Sequence, residues 1–479
     1  MTYHTKSFLL LIAILSSCQP DHNGQPCNCS SLTGLHKLEY HNPDLVVDLD
    51  VGFKSVPMPM DFDGDGDVDL LVSESGCYAE SGVFYFENIS GNVDAPLFRY
   101  GMKVSSERFR LGDDGKYFVV SEVGERVHVL TPDRVNDKLL RYVDVPYNVF
   151  WKKTDMPVPA TGHVPGTEQS TWKQIDFDHD GVHDLMCGVL AETGRYLLFF
   201  RNSGNDAAPS YEAPERIKTQ DGHDLGIDLH LEVPFADYDN DGDYDYVAVG
   251  NYGEYVYFEN VGTPTTHSYR NGDTLRHGGE VILPDSRYGS ATKPRAVDFN
   301  RDGYTDIIAG DEDGKVYFLK NTGAMDSGVP VFLPPEFFRQ EAKFVDFGAL
   351  TAPRIFDWDG DGRDDIVAGN GAGYIGVIRN ISDECLRWDG PEILQVEGED
   401  LRILPEGAHW GYVTIDVGDW NGDGLPDILA NHHHGNVVWF ENTGTRQKPK
   451  LNAAKPIRVQ WEGDPQRPAP QKGYAGRDG

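Results

Sequence analysis

The stretch Asp61-Phe62-Asp63-Gly64-Asp65-Gly66-Asp67-Val68-Asp69 returns five more times along the chain. Each copy places oxygen-bearing side chains at positions 1, 3, 5 and 9 and a glycine at position 6. The ligand sets are Asp61, Asp63, Asp65 and Asp69; Asp176, Asp178, Asp180 and Asp184; Asp237, Asp239, Asp241 and Asp245; Asp298, Asn300, Asp302 and Asp306; Asp357, Asp359, Asp361 and Asp365; Asp419, Asn421, Asp423 and Asp427. Alternating oxygens around a sharp glycine turn suit a hard cation such as Ca²⁺. An EF-hand loop would close with Glu at position 12 and enter a helix. Here each loop runs straight into an apolar strand, as in Asp306-Ile307-Ile308-Ala309-Gly310. The expectation is up to six structural calcium ions, each clipping two strands together with no open coordination position.

The first aspartates of successive loops are 115, 61, 61, 59 and 62 residues apart. The first step is close to twice the others, so one repeat has lost its motif. Its remnant is expected near Leu111-Gly112-Asp113-Asp114-Gly115, followed by the strand-like Lys116-Tyr117-Phe118-Val119-Val120. A regular period of this size means a solenoid or a propeller. Each repeat reads as four short strands: Pro294-Arg295-Ala296-Val297 before the loop, Asp306-Ile307-Ile308-Ala309 after it, Val316 to Asn321 third, and Pro330-Val331-Phe332-Leu333 fourth. The third strand ends in Asn again at Asn88, Asn202, Asn260 and Asn442. Alternating aromatic and β-branched runs between Gly, Asn and Pro clusters are strands. Four-stranded units arranged radially make a β-propeller. The expected fold is all-β: a seven-bladed β-propeller over residues 36–465, with the metal loops between first and second strands. The run Leu45-Val46-Val47-Asp48-Leu49 is expected to pair with the last blade.

The Asp-x-Asp-x-Asp-Gly-x-x-Asp loop, followed by an apolar strand and an Asn-x-Gly turn, resembles the FG-GAP/VCBS-type repeat. That family includes the integrin α-subunit propeller and many bacterial surface proteins. The resemblance spans roughly residues 50–460 and implies a calcium-bound propeller. It says little about activity, because one fold hosts many functions.

The amino terminus carries Lys6, the apolar run Phe8-Leu9-Leu10-Leu11-Ile12-Ala13-Ile14-Leu15, then Ser16-Ser17-Cys18. This is the form of a secretory signal, over residues 1–18. The Leu-Ser-Ser-Cys ending resembles a bacterial lipobox, which implies lipidation of Cys18 and anchoring to the outer-membrane lipid, with the protein at the cell surface, in the periplasm or secreted. An ordinary signal peptide that happens to contain a cysteine is the alternative. Residues 19–35 read as a tether and 466–479 as a disordered tail. Five cysteines remain after Cys18: Cys27, Cys29, Cys77, Cys187 and Cys385. Their odd number and irregular spacing outline no disulfide framework. Cys187, inside a strand-like run, reads as a small core residue.

The net charge is −35, from 77 acidic and 42 basic residues. Much of this acidity sits at the metal positions. It excludes nucleic acid, which selects a basic face. A monomer is expected.

In a propeller the face opposite the metal loops collects the second-to-third-strand turns and the links leading into each blade, so a ligand site is expected there. The links carry His163, Trp172, His230, Tyr288, Arg295, Arg354, His409, Trp410 and Tyr412. The turns carry Glu74, Tyr78, Glu192, Arg195, Asn251, Tyr252, Asp311, Asn370 and the run His432-His433-His434. Aromatic platforms with Arg and His suit an acidic polysaccharide, because rings stack on apolar sugar faces and Arg pairs with carboxylate or sulfate. Each residue also has a plainer reading. Trp172 and Trp410 fit blade-edge packing, Arg295 and Arg354 fit bridges to neighbouring acidic loops, and His179 and His183 fit solvent-facing loop positions.

Two function classes follow. In architecture the chain is similar to propeller polysaccharide lyases of the ulvan-lyase type. Such a reaction removes the proton beside a uronate carboxylate and expels the sugar oxygen at the next carbon. It needs a base, an acid and a group that neutralises the carboxylate. His163 or His230 fits the base, Tyr252 the acid and Arg295 the neutraliser, and Tyr288 is a further candidate of the same types. A carboxylate pair of the glycosidase kind, drawn from Glu74, Glu192 and Glu254, is a further option. The second class is a non-catalytic propeller that binds glycan or protein.

Overall fold

The computed structural model describes residues 37–74, 82–105, 128–133, 138–143, 152–156, 167–191, 194–226, 233–250, 253–283, 293–311, 313–382, 386–404, 411–431 and 437–457. Among them the regular structure is β throughout, and six antiparallel four-stranded sheets follow one another along the chain. Unit one comprises Ser55–Met60, Asp69–Glu74, Gly82–Phe86 and Met102–Ser105. Unit three comprises Thr167–Ile175, Asp184–Ala191, Gly194–Phe200 and Glu215–Arg216. Unit four comprises Phe235–Ala236, Asp245–Val249, Tyr255–Phe258 and Asp273–Thr274. Unit five comprises Lys293–Val297, Asp306–Gly310, Val316–Leu319 and Glu336–Phe337. Unit six comprises Ala352–Phe356, Asp365–Gly369, Ile375–Ile378 and Glu392–Ile393. Unit seven comprises Thr414–Gly418, Asp427–Asn431, Val437–Phe440 and Lys455–Pro456. Between units one and three lies a three-stranded sheet of His128–Asp133, Lys138–Val143 and Lys152–Met156, here unit two. The expected motif remnant at 111–120 falls outside the described residues.

Every Asp-rich loop joins the first and second strands of its sheet, as its sequence context requires. The second strands of units four, five and six are buried along their whole length. Their apolar residues serve two cores at once, because successive side chains point to opposite faces. In unit five, Ile308 packs with Leu70, Val72 and Phe86 of unit one, while Ile307 and Ala309 pack with Val247, Val249 and Tyr257 of unit four. Units three and four share a third core, and units six and seven a fourth. The hydroxyls of Tyr255 and Tyr317 meet at 3.0 Å inside the unit four–unit five core. Each polar group thus has a partner where an isolated one would be costly.

Two strand expectations are corrected. Pro330-Val331-Phe332 does not form the fourth strand of unit five. Val329–Phe332 folds back on Asn321–Asp326 as a separate hairpin, and Glu336–Phe337 takes the fourth place. The cause is the turn Ser327-Gly328, with φ of 55° and 87°. Two consecutive positive φ values give the tight hairpin connection that matches strand twist. Similarly, Val46–Asp48 does not pair with the last unit. It pairs antiparallel with Arg339–Glu341, which also holds Leu97–Phe98 in parallel. Arg339 secures this register through Asp48 Oδ1 at 2.7 Å and the Val46 carbonyl at 3.1 Å. No shared core joins units seven and one among the described residues, and Trp420 of unit seven is 54 % exposed.

Candidate functional site

The six loops fold by the same internal bonds. The position-5 amide donates to the position-3 side-chain oxygen in every copy, from Asp65 to Asp63 at 3.1 Å through to Asp423 to Asn421 at 3.0 Å. The position-7 amide donates likewise to position 5. Position 4 is left-handed throughout: Gly64, His179, Asn240, Arg301, Gly360 and Gly422 all have φ between 57° and 83°. The position-6 glycines have φ from 87° to 101°, and a Cβ at any of them would meet nothing within 4 Å. Glycine is therefore required by backbone angle alone, not by crowding.

The closing aspartate binds the loop to the sheet. Asp69, Asp184, Asp245, Asp306, Asp365 and Asp427 are almost wholly buried. Each accepts on Oδ2 from the position-2 amide, as from Phe62 at 3.0 Å and Tyr238 at 3.3 Å. Each accepts on Oδ1 from the amide of the Asn ending the third strand, at 2.7 to 2.9 Å. Tyr85 and Tyr257 add a hydroxyl to Asp69 and Asp245. In units three to six the position-2 ring turns inward. Phe177, Tyr238, Phe299 and Trp358 are buried, and Phe177 packs on Phe235 of the next unit at 5.1 Å.

Carboxylate oxygens from positions 1, 3 and 9 lie within 4.8 Å of one another in units one, three, four and six. In units five and seven, Asn300 and Asn421 replace the position-3 acid, and each amide donates to the position-5 carboxylate at 2.8 Å. Burial, with added repulsion from neighbouring loop carboxylates, pushes Asp69, Asp184 and Asp306 up to about 7 and Asp245 up to about 8. An all-oxygen set of crowded, partly desolvated carboxylates fits a hard dication, which would offset both the burial and the repulsion.

Of the five proposed catalytic residues, His163, His230, Tyr252 and Tyr288 lie outside the described residues, as do Trp410, His409 and the run 432–434. Arg295 stands in the first strand of unit five, opposite Ile308, and is 9 % exposed. Its Nη1 donates to the Pro294 carbonyl at 3.0 Å. Arg354 is exposed, with Nε 3.4 Å from Asp416. Three residues assigned to the open face are buried. Asp311 and Asn370 are buried and accept the amides of Lys315 and Tyr374, closing equivalent turns in units five and six. Glu74 is buried at the end of the second strand of unit one. His179 is exposed and meets Tyr244 edge-on, whereas His183 pairs with Asp206 at 2.8 Å. Cys187 is a buried free thiol, as its strand position implies.

A cavity of about 660 Å³ opens between units one, five and six and the segment 37–51. Tyr40, Tyr100 and Tyr374 contribute to its walls, and Asp48, Asp50, Asp313 and Lys315 are among its polar lining. Lys315 Nζ lies 3.0 Å from Asp48. Burial first, then the charges of Asp346 and Asp313, push the carboxyl of Asp50 well above its usual range. The sequence carried no sign of this cavity, because it depends on a pairing of distant segments.

A family model described as FG-GAP-like repeat matches residues 237–309, 298–368 and 357–430. No curated protein matches the chain. Among solved structures it is similar to Sqt1 of Saccharomyces cerevisiae, at 12 % identity and a TM-score of 0.21, over 85 % of this chain and 86 % of that one. It is also similar to a mutant of AofleA from Arthrobotrys oligospora, at 10 % identity and a TM-score of 0.24, over 90 % and 94 %. Scores of this size establish no common arrangement, and the assignment rests on the repeats.

Proposed function

We propose that this FG-GAP-repeat chain is a calcium-stabilised propeller of seven blades, exported and lipid-anchored through Cys18, that cleaves an acidic polysaccharide by β-elimination. One observation carries the calcium-stabilised scaffold: carboxylate oxygens from positions 1, 3 and 9 converge within 4.8 Å in units one, three, four and six, each set anchored by its closing aspartate. Calcium supplies charge neutralisation in the loops and takes no part in bond breaking. In this reading the seventh blade is the three-stranded sheet of unit two.

The elimination reading rests on residue chemistry. A base, His163 or His230, takes the proton beside the uronate carboxylate. The electron pair forms a carbon–carbon double bond, the glycosidic carbon–oxygen bond breaks, and Tyr252 protonates the departing oxygen. Arg295, a buried guanidinium, neutralises the uronate carboxylate in this scheme, and Tyr288 is a further candidate at the site. A second reading is a non-catalytic propeller that holds glycan or protein. It is favoured by the exposed Arg354 and the 42 % exposed Tyr412, which offer a charge and a ring at the surface without a catalytic set.

The test is ultraviolet absorbance of unsaturated uronate, with residues 19–479 in calcium and a panel of acidic polysaccharides. Absorbance that rises with one substrate and is lost in Tyr252→Phe supports elimination. No rise with any substrate, alongside retention on a glycan column, overturns it in favour of binding.

A further inference from the structure

The residue just before the third-strand Asn divides the six loops into two electrostatic classes. It is Glu87, Glu259 and Glu441 in units one, four and seven, and Arg201, Lys320 and Arg379 in units three, five and six. The register is the same in all six, because the following Asn amide always reaches the closing aspartate. The side chain therefore leaves the strand beside the loop. Arg201 reaches the buried carboxylate of Asp178 at position 3. Arg379 Nε lies 3.7 Å from Asp359 at position 3, and Lys320 Nζ lies 3.5 Å from Asp302 at position 5. On the acidic side, Glu441 Oε1 accepts from Asn421 Nδ2, also position 3, at 3.3 Å.

The ion pairs divide the same way. Among the described residues, the loop carboxylates of units three, five and six hold an internal base, and those of units one, four and seven hold none. The three glutamates are fixed in place from the other side by Arg99, Arg270 and Lys455.

We propose that this single position grades the six cation sites, making units one, four and seven the tight calcium sites and units three, five and six the weak ones. The inference rests on the calcium reading above and adds a specificity-determining residue to each loop. The glutamates, each neutralised by its own outward base, set no cation against their loop, whereas the basic side chains already occupy a carboxylate the dication needs. With the screening of bulk water, one unit charge about 6 Å from a dication changes its affinity roughly tenfold. Units one and four, with four loop acids and a glutamate each, stand at the tight end. Unit five, with Asn300 and Lys320, stands at the weak end.

Calcium titration of the full chain by calorimetry tests this. Three tight and three weaker equivalents are expected, roughly tenfold or more apart. Arg201→Gln should move one equivalent toward the tight class, and Glu259→Lys should move one the other way. Arg201→Gln adds no charge and keeps the stem of the side chain, so it guards against loss of folding in the harsher variant. Six indistinguishable sites, or variants that leave the class populations unchanged, overturn the grading while leaving the calcium reading intact. Absence of any binding overturns the calcium reading itself.

Discussion

The backbone amide of Asn260 donates to Asp245 Oδ1 at 2.8 Å, joining the end of the third strand in unit four to the last residue of its acidic loop. The other oxygen of Asp245 accepts from the Tyr238 amide at 3.3 Å and the Tyr257 hydroxyl at 2.9 Å. One carboxylate therefore fixes first strand, loop and third strand together. Its burial makes each of those bonds costly to lose, since water cannot replace them.

Asp245→Ala should accordingly destabilise the chain by about 3 kcal/mol or more, because buried donors lose their acceptor. Asp245→Asn keeps one acceptor oxygen and should cost about half as much. Chemical denaturation in chelator isolates this role from metal binding. Equal losses for the two variants would contradict it.

The position-6 glycines give a sharper contrast. Gly242 has φ of 96° with open space around it. Gly242→Ala should cost about 1–2 kcal/mol from backbone strain alone. Asn240, at φ of 65°, lies where Asn is tolerated. Asn240→Gly should change stability by less than about 1 kcal/mol. Thermal denaturation of both variants checks the order.

The buried aspartates set a pH dependence that metal should reverse. In the metal-free fold the carboxyls of Asp69, Asp184 and Asp306 are pushed up to about 7 and that of Asp245 to about 8. A folded value above the unfolded one means the folded state binds more protons between about pH 4 and pH 8. This contribution to stability is complete below pH 4 and is lost as pH rises through 7 to 8. In chelator, stability should fall from pH 5 to pH 8. With saturating calcium the decline should vanish, because the ion takes the place of the protons. Denaturation midpoints at several pH values, with and without calcium, show the sign directly.

Much of the scaffold was legible in the chain. The loops, the strands around them and the all-β class follow from Asp61, Gly66 and Asp69 and their repeats, because local turn chemistry and alternation act within a few residues. The Asn at the end of each third strand was visible as a recurrence, but its task needed the register across the sheet. The hairpin at Asn321–Phe332 departs from the four-strand pattern because Ser327-Gly328 forms a tight turn inside it. Asp311 and Asn370 stand in turns and read as ligand-face residues, and both do line the cavity. Only burial and their bonds to the amides of Lys315 and Tyr374 show them closing those turns. The division of this position into Glu87, Glu259 and Glu441 against Arg201, Lys320 and Arg379 is written in the sequence, and gains meaning from the contacts of the bases with their loops. The cavity around Asp50 joins residues 37–51 to unit six, and no local pattern announces such a pairing.

The central claim is that the six loops hold the sheets together through calcium. The melting temperature of residues 19–479 in excess calcium and in excess chelator tests it most directly. A site occupied at a hundred times its dissociation constant adds about 2.7 kcal/mol to folding. Several such sites predict a large rise in melting temperature with calcium. An unchanged melting temperature would contradict the account.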